Sequence, residues 1–149
     1  MSEPSRPVKK RALVAWVNEQ IQHGAPRWPL YLNLSKMQSE SEDINEMQVL
    51  AEVLDSLEGQ LVDRNLKGIE LEKQGDEEQA IALYEANVAD RFDGSHPYER
   101  LRIMYTYRKK YKDAIRICEA YISHGQQDPK VKEKYAQVMK DLSTRLNEH

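Results

Sequence analysis

A single cysteine, Cys118, is all the chain holds, so it can form no internal disulfide and no CxxC metal framework. Glycine and proline are nearly as scarce, six of each in 149 residues. Breaks in regular structure are therefore few, while Leu, Glu, Lys, Gln and Ala fill long stretches, the composition of an all-helical protein. Apolar runs are short: none approaches the ~18 residues that a membrane span needs. The run ALVAWV follows Lys9, Lys10 and Arg11 as in a secretory leader, but it stops at Asn18 and Glu19. That is too short for a leader's apolar core, so the cytoplasm is the default compartment.

Chemistry-bearing motifs are also missing. The chain has no G-x-x-x-x-G-K, G-x-G-x-x-G, G-x-S-x-G or H-E-x-x-H. His23, His96 and His124 are scattered, and Asp90–Gly94 starts like a calcium loop without the closing glutamate. No catalytic residue, cofactor or metal is assigned, and the expected class is a non-enzyme.

What is present is segregated charge. The net charge is −3, yet residues 1–38 carry a net +4, residues 39–92 a net −11 and residues 93–149 a net +4. Solvated helix faces account for this, and so would complementary surfaces within the protein, a polar partner or self-association. Hydrophobic residues at 40% allow one core of ordinary size, and charged residues at 32% imply a very polar surface.

Residues 1–8 read as a disordered N-terminus and residues 9–58 as an N-terminal helical region. Leu13, Val14, Trp16, Val17 and Ile21 mark one side of a helix that Gly24-Ala25-Pro26 stops. Trp28 precedes Pro29 and is pushed out of the helical region, so a second helix is expected to start at Pro29, with Leu30, Leu34 and Met37 on one face. Ser39 and Glu42 fit a capping box. Beyond them, Met47, Leu50, Leu54, Leu57 and Leu61 alternate in steps of three and four. This seam suits either ordinary helix packing or a homodimer, and Gly59 either splits the helix or weakens it.

QGDEEQAIALYE (residues 74–85) and RKKYKDAIRICE (residues 108–119) match at a period of 34: Ala80 with Ala114, Ile81 with Ile115, Tyr84 with Cys118, Glu85 with Glu119. Leu71 aligns with Tyr105 and then Met139, and Gly68 with Arg102 and then Ala136. A fixed period of this size signals stacked helical units. Gly75 is placed to end one helix in a left-handed turn and Asp76 to cap the next, with Gln79 three residues on. Ala80 and Ala114 suit a close helix crossing, and Cys118 falls on the buried face as a small hydrophobe. Asp128 and Pro129 open a last helix, on which Tyr135, Val138, Leu142 and Leu146 share a face.

On these residues, Gly68, Leu71, Gly75, Ala80, Ile81 and Tyr84, then Leu101, Tyr105, Ala114 and Ile115, with Pro97 and Pro129 in the turns, residues 61–146 resemble the tetratricopeptide repeat family. Arg64 departs from the pattern where the family has a bulky apolar residue, and Arg102 where it has a small one. The resemblance implies a right-handed helical repeat stack: two degenerate helix pairs, a capping helix, and the N-terminal helical region beside them. It further implies an adaptor that binds a peptide or partner helix in the concave face. Asn65, Ile69 and Glu72 of the first repeat, and Glu99, Ile103 and Thr106 of the second, would line that groove. Ile69 and Ile103 suit plain core equally well. The family's carboxylate clamp is not expected, because Ile69, Glu99 and Ile103 occupy the slots near Asn65 where its cations would sit. Two further readings stay open: a homo-oligomeric scaffold through the Met47–Leu61 seam, and nucleic-acid contact through Arg108, Lys109, Lys110, Lys112 and Arg116, beside Tyr107 and Tyr111.

Overall fold

Apolar residues at three- and four-residue steps form helices throughout, and the described residues hold seven helices and no strand. The structure is a computed structural model that describes residues 9–124 and 128–148. The expectation for residues 1–8 lies outside them. The helices are α1 (Lys10–Gln22), α2 (Arg27–Glu40), α3 (Ile44–Lys73), α4 (Glu77–Ala89), α5 (His96–Tyr107), α6 (Tyr111–His124) and α7 (Pro129–Asn147). The chain divides into two compact units, one ending at Val62 and one beginning at Asp63.

In the first unit, Leu13 and Val17 of α1, Leu30 and Leu34 of α2, and Leu50, Val53, Leu54 and Leu57 of α3 form one core. Each such side chain contributes about 1.5–3 kcal/mol by leaving water. Leu50, Leu54, Leu57 and Leu61 are therefore inside, and only Met47 of the proposed dimer seam is exposed. The seam residues serve the chain's own packing. Val14, expected on the buried side of α1, is also exposed.

Three local expectations change. The second helix starts at Arg27, two residues before Pro29, and Trp28 lies within it, stacked on Tyr31 at 4.6 Å. A first-turn proline gives up an N–H that has no partner there anyway, so it does not set the boundary. Ser39 caps nothing: it lies in α2 and its hydroxyl donates to the carbonyl of Lys36. Asp43 caps α3 instead, its carboxylate accepting from the amides of Asn45 (2.8 Å) and Glu46 (3.3 Å). Gly59 does not split α3, which runs unbroken for 30 residues.

In the second unit the turn chemistry follows the sequence closely. Gly75 has φ +82°, and the amides of Gly75 and Asp76 bond back to the carbonyls of Glu72 (3.0 Å) and Leu71 (2.8 Å). Asp76 then accepts from the amide of Gln79. Thirty-four positions on, Lys109 has φ 61°, and the amides of Lys109 and Lys110 reach Thr106 (3.0 Å) and Tyr105 (2.8 Å). Both are Schellman ends, and they reverse the chain after α3 and after α5. The core takes Leu71, Ala80, Tyr84, Leu101, Tyr105, Ala114, Ile117 and Cys118, with Tyr135 and Leu142 of α7. Ile117 is fully buried, whereas Ile81 and Ile115 are only partly so. α5 packs on α4 and α6, and α6 on α7.

Gly68 explains itself here: a Cβ added to it would lie 2.5 Å from Cε1 of Tyr84. Gly59→Ala, by contrast, would meet nothing within 4 Å. Denaturant unfolding should show Gly68→Ala destabilised by roughly 1–3 kcal/mol. Gly59→Ala should be stabilised by roughly 0.5–1 kcal/mol, as for glycine in a helix interior. Equal effects at the two positions would contradict the close approach of Tyr84 to α3.

Candidate functional site

The six residues expected in the groove divide between α3 and α5, and several are engaged inside the unit. Glu72 of α3 takes a forked pair from Arg100 of α5, Nη2 at 2.6 Å and Nε at 3.2 Å from each carboxylate oxygen. The Tyr84 hydroxyl donates to the same carboxylate at 2.5 Å, and His96 Nε2 lies 3.3 Å from that hydroxyl. Burial raises the Glu72 carboxyl, but Arg100 and Tyr84 outweigh it and hold the group below its ordinary value. Glu99 takes the Tyr135 hydroxyl at 2.8 Å and pairs with Arg102, and its carboxyl is likewise held low against burial. The Arg102 guanidinium sits over the Tyr135 ring at 5.7 Å. Asn65 accepts from the amide of buried Asn87 at 3.0 Å.

Two shallow depressions flank α5. One, of ≈ 190 Å³, is lined by Arg102 and Thr106 with Val138, Asp141, Leu142 and Arg145 of α7. The other, of ≈ 300 Å³, is lined by Glu77, Arg100, Ile103, Met104 and Tyr107. Ile103 and Thr106 thus open onto different depressions, and the six residues do not line a single cleft. Sequence reasoning missed Arg100, Met104 and Tyr107 as lining residues. The i, i+4 step from Ile103 to Tyr107 was the available signal.

The departures at Arg64 and Arg102 have a polar explanation. Arg64 donates to Asp90 at 2.6 Å and to Asn87 at 3.0 Å, both buried. A guanidinium there donates to both buried groups, which an apolar side chain could not do.

The basic cluster is partly neutralised within the chain. Arg108 bridges Glu77 (2.9 Å) and Glu78 (2.5 Å), and Arg116 pairs with Glu85 (2.6 Å) and Asp113 (3.1 Å). Lys109, Lys110 and Lys112 stay exposed. Tyr111 is buried in the core, so of the two tyrosines only Tyr107 faces solvent. Cys118 is fully buried, and burial pushes its thiol up to about 11, which keeps it an unreactive core side chain. Among the described residues no group of three His, Cys, Asp or Glu could hold a metal ion. No helix among them is long and apolar enough to cross a membrane.

No protein-family model, no curated protein and no solved structure matches the chain.

His96 and His124 of the second unit give a pH signature. Burial lowers His96 despite the nearby Glu72 carboxylate; burial and then Arg91 lower His124. The unfolded chain takes up protons at the ordinary value of 6.5, whereas the folded chain takes them up only at lower pH. Folding stability should therefore fall as pH drops from about 7 to about 5, above the range where the carboxylates titrate. Replacing both with Gln should flatten that slope, and an unchanged slope would contradict the burial of the two rings.

Proposed function

We propose that residues 61–146 form a right-handed, tetratricopeptide-like stack acting as a non-catalytic protein-interaction module. The module takes a short peptide or partner helix at the depression beside α5 that Ile103 borders; Thr106 opens onto the other depression, and Asn65, Glu72 and Glu99 are engaged within the unit. The observation carrying this reading is the cleft where Ile103, 39% exposed, and Tyr107 flank the buried Met104, with Arg100 and Glu77 at its rim. A shallow apolar depression between opposite charges suits one anchoring side chain of an amphipathic segment. The 34-residue recurrence of the Schellman end and of the alanine crossings supports the repeat reading.

The rival readings lose specific support. A scaffold built on the leucine seam needs side chains that are buried in the chain's own core. Nucleic-acid contact has lost Arg108 and Arg116 to internal carboxylates.

Selection of displayed random peptides against the intact chain tests the module directly. Enriched peptides should carry apolar anchors at i, i+3 or i+4 spacing. Ile103→Glu should weaken them at least about tenfold, as loss of a buried anchor contact does. Peptides that bind the variant equally, or no enrichment, would contradict it.

A further inference from the structure

The two most exposed large apolar side chains among the described residues are Tyr107, 88% exposed, and Ile44, 78% exposed. Their settings are opposite in charge. Tyr107 ends α5, and the exposed Lys109, Lys110 and Lys112 follow it at the α5–α6 turn. Ile44 opens α3 beside exposed Met47, and the exposed Glu40, Glu42 and Asp43 precede it at the α2–α3 junction. Among the described residues no ion pair reaches Glu40, Glu42, Lys109, Lys110 or Lys112. Each place thus joins an uncovered apolar side chain to uncompensated charge of one sign.

From this complementarity we propose that the α5–α6 turn of one copy docks on the α2–α3 junction of a second copy. Tyr107 packs on Ile44 and Met47, while the turn lysines face Glu40 and Glu42. The two surfaces differ, so the contact is heterologous and joins copies head to tail. Exposed charges a few ångströms apart lose most of their attraction in high salt, so the association is salt-sensitive. It does not depend on the peptide-binding cleft: Tyr107 is the one residue the two share, and Ile103→Glu leaves the docking surfaces intact.

Sedimentation velocity over a concentration series tests this on the intact chain. The weight-average sedimentation coefficient should rise with concentration at about 50 mM salt and return to the monomer value at about 500 mM. Lys110→Glu with Lys112→Glu, or Glu40→Lys with Glu42→Lys, should each move half-association at least about tenfold higher. Lys110→Glu and Lys112→Glu put acids at the start of α6, and Glu40→Lys puts a base at the end of α2, in keeping with the helix dipoles; Glu42→Lys puts a base just before α3, so far-ultraviolet dichroism of each variant checks that helicity is kept. Mixing the two reversed variants should restore association, because each altered surface then meets an opposite charge on the other molecule. A monomer at every concentration, or no recovery on mixing, would overturn the proposal. So would retention of single-stranded RNA by the turn lysines without self-association, which would assign the turn to nucleic acid.

Discussion

The left-handed helix end is the constraint on which the second unit rests. A helix turns back sharply along its neighbour when one residue accepts positive φ, so that its amide and the next bond the last carbonyls. Gly75 does this without cost, and Lys109 does it at the corresponding place although it carries a Cβ. The hydrogen bonds of the two turns agree to the residue: 75 to 72 and 76 to 71, then 109 to 106 and 110 to 105. Once the reversal is fixed, the alanines at 80 and 114 fall at the crossings, and both are fully buried. Arg91 ends α4 with the same geometry, and Gly24 ends α1.

Around this frame the unit uses charge and hydroxyls where apolar side chains would otherwise pack. Glu72 ties α3 to α4 through Tyr84 and to α5 through Arg100. Glu99 ties α5 to α7 through Tyr135, and Glu85 ties α4 to α5 and α6 through Tyr105 and Arg116. A partly buried carboxylate is stabilising only when its lone pairs are met, and here each meets a tyrosine hydroxyl and an arginine. Ring contacts continue the connection, Tyr98 to Tyr121 at 4.9 Å and Tyr121 to Tyr135 at 4.7 Å. The acidic stretch and the basic C-terminal stretch are thus partly spent on one another inside the fold.

That internal pairing separates what was legible in the sequence from what was not. Helix type, the Gly75 turn and the Asp76 and Asp128 caps follow from local rules, and so did the burial of Ala80 and Cys118. The start of α2 departs from the expectation because a proline in the first turn of a helix does not bar the residue before it from that helix. The candidate site was harder, because the fate of a charged or aromatic side chain depends on the neighbouring helix. Tyr107 and Tyr111 look alike beside the same lysines, yet one is exposed and the other is core. Glu72 and Glu99 read as groove-facing acids, and only the placement of Arg100 and Tyr135 shows them engaged within the unit.

The equivalence of the turns at 75 and 109 is tested most directly by the stability of Lys109→Gly. Both tryptophans precede Val62, whereas seven of the eight tyrosines follow it, so near-ultraviolet tyrosine dichroism follows the second unit. Removing a Cβ from a left-handed residue should raise that unit's unfolding free energy by roughly 1 kcal/mol. A loss of similar size, as glycine causes in an ordinary helical residue, would show that residue 109 is not the left-handed end of α5 and would break its equivalence with Gly75.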